Sequence, residues 1–578
     1  MKAVAAQTAS ALAEAGRDAR AAWGGEQAAL ALLLAAACGL PWFAPGWVHV
    51  DVLAAWLYLA LAATGLGLTA GFAGLPSLAQ GAFMSVGAFA TALLSARAGW
   101  PAEATIPVAV GAALVLAFGS ALVLVRLPPL FLAVSTWLLA WLVLLAATEF
   151  PSVAGGSQGY TVTSPLSATG HYELALLLTA LGVVALSALR RNTTGTRLRA
   201  IRDRHAAATT LGVRSGRLLL GAFVASAAVG GLAGSLAVQL AGVSDPNAFG
   251  PFTSFKLLVA VLLGGASYAG AGVIGVAVLG AIALLGHAWA ALQSGAPAQL
   301  QPMLASVLLL ALLALGGDEL VPLLLRLRPA RAAPPSRPEP APAGRKPASL
   351  TARGLWKSYG GVHALAGFDL EIAPGEAVAL VGANGSGKTT ALRVLAGALA
   401  LDRGEVEIDG RPVGRLEPAA LAKAGVVRTL QRTATFPTLT ALENALVGAG
   451  LHSHHGGPVR TLAATPKSRR EARALFGAAH EALRAVGLDG VAGTRAELLD
   501  GFQQRLLMLA SALAARPRLL LLDEPSAGAA TQEVAFLTEV LRNLRTAGVS
   551  LLVVEHNLPL VRAFADRVVV MSDGKAAP

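Results

Sequence analysis

From Val52 to Ala96 the chain carries no Asp, Glu, Lys or Arg. A bilayer core needs about 20 consecutive apolar residues per crossing helix, so this stretch has room for two crossings and no charge to hold either in water. The whole sequence fits that reading. It is 55% hydrophobic and only 13% charged, against roughly a quarter charged in soluble domains. Spans are expected near 29–46, 52–70, 78–96, 105–125, 128–148, 174–189, 218–241, 256–272, 273–291 and 302–316. Gly264-Gly265 and the Gly270 to Gly275 region are points where the chain can break or re-enter, so about eight to ten spans are expected.

The charge is unevenly spread. Eight Arg and one Asp lie between Arg190 and Arg217, and they contribute to a net charge of +12. Beside charge-free apolar runs, such a segment reads as a positive-inside loop rather than a nucleic-acid surface. Ten spans put both chain ends on that side. Glu149 and Glu173 flank a loop on the other. The N-terminal segment, residues 1–27, mixes Glu14, Asp18 and Glu26 with Lys and Arg and lacks the layout of a cleavable signal. The lone cysteine, Cys38, excludes an internal disulfide. Small residues crowd the spans, as between Gly67 and Leu94, where they let helices approach closely. The polar residues Gln80, Gln239, Tyr268 and His287 are candidates for a solute path or for bonds between helices.

After the membrane region, residues 28–325, comes "RPARAAPPSRPEPAPAGRKPAS". This Pro-rich linker, 326–349, is expected to be a semi-rigid extended spacer. Residues 350–578 have the pattern of a soluble α/β domain. Gly382, Ala383, Asn384, Gly385, Ser386, Gly387, Lys388 and Thr389 fit the phosphate-loop pattern G-x-x-x-x-G-K-[ST] in full, followed by Thr390. The glycines let backbone N–H groups wrap an anion, Lys388 reaches the β and γ phosphates of ATP, and Thr389 is placed to ligate Mg²⁺. In "LLLLDEP", Asp523 ends an apolar strand where it is placed to hold Mg²⁺ through water. Glu524 is the natural general base for the attacking water.

With these motifs in view, the domain from Leu350 to Lys575 resembles the ABC-transporter ATPase family. The resemblance implies that Tyr359 in "LWKSYGG" stacks on adenine. It implies that Gln431 in "VVRTLQRTATF" couples metal and water to the membrane domain, and that His556 in "LLVVEHN" contacts the γ-phosphate. The membrane half resembles the permease of branched-chain amino acid importers in "GFAGLPSLAQGAFMSVGAFATALL", "GTRLRAIRDRHAAATTLGVRSGRLLLGAF" and "LLVAVLLGGASYAGAGVIGV". By the same resemblance, the segment carrying Arg199, Arg202, His205 and Gly212 is a coupling loop, with His205 where the family usually has Glu. A solvated, headgroup-touching loop is the alternative. The chain is thus expected to be an importer permease fused to its ATPase in a cell's inner membrane, with ATP and Mg²⁺ as cofactors. The expected partners are membrane lipid, a second permease, a second ABC ATPase, an extracytoplasmic binding protein and a small solute, with no nucleic acid. Resemblance favours leucine, isoleucine and valine, although similar permeases serve other amino acids, amides, urea and aromatic acids. An exporter half-transporter and a non-hydrolytic regulatory subunit are the alternatives.

The chain departs from the family at its signature motif. Leu499, Asp500, Gly501, Phe502 and Gln503 stand where Leu-Ser-x-Gly-Gln is usual. Asp500 sets an acceptor where Ser donates to phosphate, and Phe502 adds bulk where Gly lets the backbone approach. Ala530 stands where Asp or Asn is usual. Because the other site residues are intact, the expectation is an asymmetric pair of ATP sites. "HSHH", His452 to His455, reads as an exposed loop rather than a metal site, and "PKSRREAR" as a solvated helix face.

Overall fold

The computed structural model describes residues 49–124, 126–150, 159–283, 335–340, 346–413, 417–429, 434–453 and 465–576, the backbone of 284–292, and the single positions 37, 39, 303, 307 and 311. The chain separates into two compact units, one holding most of residues 19–328 and the other holding Asn192–Ser215 with Pro329–Pro578.

In the first unit, six helices are long and apolar enough to cross a membrane: Val50–Phe72, Gln80–Ala98, Ala102–Leu124, Pro129–Glu149, Ala168–Arg190 and Ser215–Ala241. We label these α1 to α5 and α7, with α6 reserved for Thr193–Thr210. The last turns of α1, Gly67–Phe72, are wound as a π-helix. Two further apolar helices follow, α8 (Pro251–Leu263) and α9 (Ala271–Leu292). The expected span at 256–272 is corrected by this break: α8 stops at Leu263 and residues 264–270 turn. Glycine permits the turn's close packing, since a Cβ on Gly275 would lie 1.7 Å from the Ala260 carbonyl oxygen. Apart from the single positions 37, 39, 303, 307 and 311, the expected spans at 29–46 and 302–316 lie outside the described residues, as do Cys38 and the N-terminal segment.

Packing in this unit inverts the soluble pattern. On α3, Ala109, Ala113, Ala117 and Ala121 are buried at four-residue spacing, whereas Val115, Phe118, Leu122 and Val123 are exposed. Without water to expel, the small face of α3 brings helices into contact while its large apolar side chains turn outward. Ala113, Ala117 and Ala121 cluster with Phe83 and Phe223, whose rings meet edge to face at 5.6 Å.

The second unit is built on two sheets. An antiparallel sheet has the order β2-β1-β4-β5, with β1 Leu350–Tyr359, β2 Val362–Ile372, β4 Arg403–Ile408 and β5 Arg411–Pro412. The other has the order β10-β9-β3-β8-β7-β6, from β3 (Ala377–Gly382), β6 (Val426–Arg428), β7 (Leu519–Asp523), β8 (Ser550–Val554), β9 (Arg567–Ser572) and β10 (Lys575–Ala576). Strands β3, β6, β7, β8 and β9 run parallel. Strands β7 and β8 are buried along their whole length, as unbroken apolar runs in a covered parallel sheet should be. The carboxyl ends of β3, β7 and β8 therefore open at one edge, the usual place for a ligand in such sheets.

The linker is not a free spacer where it is described. Ser336 N–H donates to the Gly487 carbonyl at 2.8 Å, its hydroxyl donates to Asp489 at 2.6 Å, and Glu339 N–H donates to the Arg484 carbonyl at 3.1 Å. Pro338 is buried. Backbone hydrogen bonds, which the composition did not disclose, fix this part of the Pro-rich segment to the ATPase unit.

Candidate functional site

Strand β3 runs into the phosphate loop, and α10 (Lys388–Leu395) leaves it. Gly387 caps α10 with φ of 102°, and a Cβ there would lie 2.2 Å from the Ala364 carbonyl oxygen. Only glycine tolerates both the left-handed backbone and the approach. Ala383, Asn384 and Gly385 are exposed at the loop's crest, and Ser386 is buried beneath it. The Lys388 ammonium donates to the carbonyls of Gly382 and Ala383 at 2.8 and 2.7 Å. Burial lowers its pKa, opposed by Glu524 and then Asp523, so a cation sits beside two carboxylates. Thr389 and Thr390 occupy the first turn of α10, partly exposed.

Asp523 and Glu524 come from the end of β7. Asp523 is buried, and Arg428, at the end of the neighbouring β6, donates to its Oδ2 at 2.9 Å. Burial raises the Asp523 pKa against the opposing pull of Arg428. Its Oδ1 is buried with no hydrogen-bond partner. An orphaned carboxylate oxygen is costly, and it fits a hydrated cation as the missing partner. Glu524 has a left-handed backbone, φ 49°, which turns its carboxylate out of the strand line. His556, just after β8, brings Nε2 to 3.4 Å from Glu524 Oε1. The expected acid and histidine therefore meet, although they are 32 positions apart in the sequence (556 − 524).

Two contributors escaped the sequence reading. Arg428 is one, and its only signal was a cation three residues before Gln431 at the end of a short apolar run. Glu555 is the other: it is buried, and its carboxylate accepts from the N–H groups of Ser526, His556 and Asn557 at 2.8, 3.0 and 3.3 Å. It ties the loop after Glu524 to the loop bearing His556. Gln431 lies outside the described residues. Tyr359 ends β1 and is 46% exposed, leaving a ring face open.

The altered signature begins the helix α14 (Gly501–Ala514). Leu499 is buried before it. Asp500 is the N-cap: its Oδ1 accepts from Gln503 N–H at 2.8 Å, and the Gln503 side chain accepts from Asp500 N–H at 3.2 Å. Ser and Asp both cap well, so the substitution keeps the helix start and changes only what it presents. Gly501 is exposed with open space around it. Phe502 is half-buried, meets Phe536 edge to face at 5.8 Å and lies under the Arg505 guanidinium at 5.9 Å. At least part of its bulk is absorbed within its own domain. Ala530, N-cap of α15 (Thr531–Thr546), has no oxygen to cap with, and Glu533 reaches back to its N–H at 2.9 Å.

The Arg-rich segment belongs to the same compact unit as the ATPase. There α6, capped by the Asn192 side chain, is kinked at Arg204. Arg199 forms a largely buried ion pair at 2.6 Å with Glu443, which itself completes the capping box of α12 (Ala441–Ala449). Arg202 donates to Thr438 Oγ1 at 2.8 Å, and Asp203 accepts from the Thr438 N–H and hydroxyl at 3.0 and 2.7 Å. Gly212 has φ of 84°, and a Cβ would lie 2.2 Å from Leu451. His205 is exposed and bonds Ser215 at 2.8 Å, so Asp203, which sequence reading passed over, supplies the acidic contact. His452 bonds the Ala515 carbonyl at 2.7 Å, and no metal-holding cluster occurs among the described residues. His454 and His455 lie outside them. In α13 (Pro466–Ala485) the residues Lys467, Arg469 and Arg470 face solvent as expected.

Residues 365–527 match the family model "ABC transporter", and residues 48–315 match "Branched-chain amino acid transport system / permease component". The high-affinity branched-chain amino acid transport ATP-binding protein BraF of Pseudomonas aeruginosa is 35% identical over 226 residues, 39% of this chain and 88% of that protein. The chain belongs to the ABC transporter family. Other relatives are the xylose import ATP-binding protein XylG of Paraburkholderia xenovorans, 34% identical over 39% of this chain, and the ribose import ATP-binding protein RbsA 2 of Rubrobacter xylanophilus, 34% identical over 41%. The transporter chain spans 42% and 44% of those two proteins' lengths. A solved nucleotide-free ATP-binding cassette from an ABC transporter is 28% identical, covering 40% of this chain and 90% of that one, with a TM-score of 0.34. By its two family models, the transporter chain joins a permease-type membrane unit to an ABC ATPase domain.

Proposed function

We propose that the chain is the fused permease and ATPase subunit of an ATP-driven importer for branched-chain amino acids or closely related small solutes, acting in a cell's inner membrane. The observation that carries the substrate class is the match of residues 48–315 to the branched-chain permease model, because the sugar-import relatives are named as ATP-binding proteins. The partners are a second permease, a second ABC ATPase and an extracytoplasmic binding protein. Competing uptake of labelled leucine, xylose and ribose by cells expressing the complete system tests this. Xylose or ribose uptake without leucine uptake would overturn it.

In the ATPase, the phosphate loop and Lys388 bind the β and γ phosphates, and Tyr359 stacks on adenine. Thr389, Asp523 and Gln431 would hold Mg²⁺, which neutralises phosphate charge. Glu524 takes the proton of the attacking water, and the His556 imidazole, 3.4 Å from it, contacts the γ-phosphate. Arg428 orients Asp523 through its 2.9 Å hydrogen bond. The contacts of Arg199, Arg202 and Asp203 carry ATPase closure to the membrane helices. By resemblance, Asp500 stands where a second ATPase presents its nucleotide, with its Oδ1 held by the Gln503 N–H. The composite site using this chain's phosphate loop is therefore the active one, and the reciprocal site is weak.

A further inference from the structure

Among the described residues of the membrane unit, Lys256 is a cation in the apolar helices with no hydrogen bond or ion pair. It lies on α8 and is exposed. Its depth follows from a chain of contacts. The Gln80 amide donates to the carbonyl of Ser226, which is near the midpoint of α7. The neighbouring Gly81 N–H donates to Ser254 Oγ at 2.8 Å. Ser254 is thus level with the middle of a helix about 40 Å long at 1.5 Å per residue, and Lys256 is two residues further on. The approach to α8 is not helical either. Residues 243–250 run inward from the end of α7 without regular structure, and the Phe249 carbonyl is met by Ser85 Oγ at 3.0 Å.

Irregular backbone at bilayer depth persists only where protein covers it or water reaches it, and an ionised side chain there faces a polar space. Phe252, 70% exposed, and Phe255, 52% exposed, flank Lys256 on the same helix, giving a cation on an aromatic ledge. We infer that this face of α8 lines an aqueous solute path and that Lys256 draws solutes bearing a carboxylate to mid-membrane. The inference rests on the permease reading of this unit and names the group that the path selects.

The test needs no knowledge of the transported solute. In the full chain with Cys38→Ala, so that no native thiol remains, Phe252→Cys places a probe one helical turn from Lys256. Its reaction rates are measured in membrane vesicles with two water-soluble methanethiosulfonates, one bearing a sulfonate and one a trimethylammonium group. The expected result is reaction with both, faster with the sulfonate, and a fall of about fivefold or more in that preference when Lys256→Met is added. Lys256→Arg should retain the preference. Absence of reaction with either reagent, while a cysteine at the exposed Asp245 reacts, would place the face in lipid or against protein and overturn the inference. Reaction without charge preference would equally overturn it. Because no uptake is read, failure here is separable from failure of the importer assignment, which leucine competition reads.

Discussion

The phosphate-loop side of the ATPase site and the signature side answer to different kinds of constraint. Lys388, Asp523, Glu524 and His556 are brought together because several strands end side by side. Around Asp500 and Phe502, the same helix start forms with altered letters, because an aspartate caps as well as a serine and the phenylalanine finds Phe536. Local folding is therefore a poor guide to chemistry on the signature side and a good one on the phosphate-loop side.

That contrast can be broken in order of expected effect. Glu524→Gln in the assembled complex should lower ATP turnover by about 10²-fold or more, the usual weight of a general base. Near-normal hydrolysis would move the active site elsewhere. Arg428→Leu leaves Asp523 buried without its cation and should cost about 3–5 kcal/mol, read as a lowered unfolding midpoint of the full chain. An unchanged midpoint would mean that the orphaned carboxylate is compensated. Arg199→Ala strands Glu443 in its half-buried site and should cost about 1–3 kcal/mol. Its uptake should fall more than its ATP hydrolysis, and equal loss of both would argue against a transmitting role. On the signature side, Asp500→Ser should leave thermal stability within about 0.5 kcal/mol, since both residues cap well. Combined with Phe502→Gly it should raise turnover by a few-fold. Ala530→Asp supplies the missing cap of α15 and should stabilise by about 1 kcal/mol, with little change in turnover.

What was legible in the sequence were the features fixed by local spacing. The charge-free run beginning at Val52 announced α1 and α2, and the eight letters from Gly382 announced a strand, loop and helix. Asp523 and Glu524 were legible because a strand end carries them, and His556 through the family resemblance alone. The partners of these residues were not, because they depend on which strands are neighbours: Arg428 reaches Asp523 only since β6 pairs with β7. Asp203 was passed over for a similar reason, its use being set by Thr438, far along the chain. The break after Leu263 was visible as a glycine pair but not its outcome, since a Gly-rich stretch fits both a continuous span and a tight hairpin. The Pro-rich linker misled by composition. Ser336 and Glu339 direct their hydrogen-bonding groups to residues 484–489.

The central claim is that the two composite ATP sites are unequal and that the stronger one is built on this chain's phosphate loop. Vanadate trapping of a photoreactive azido-ADP in the complete wild-type complex, followed by crosslinking and a count of labelled subunits, addresses it directly. The account predicts about one trapped nucleotide per complex, attached to this chain and lost with Lys388→Ala. Equal labelling of both ATPase domains, or labelling of the partner alone, would contradict it.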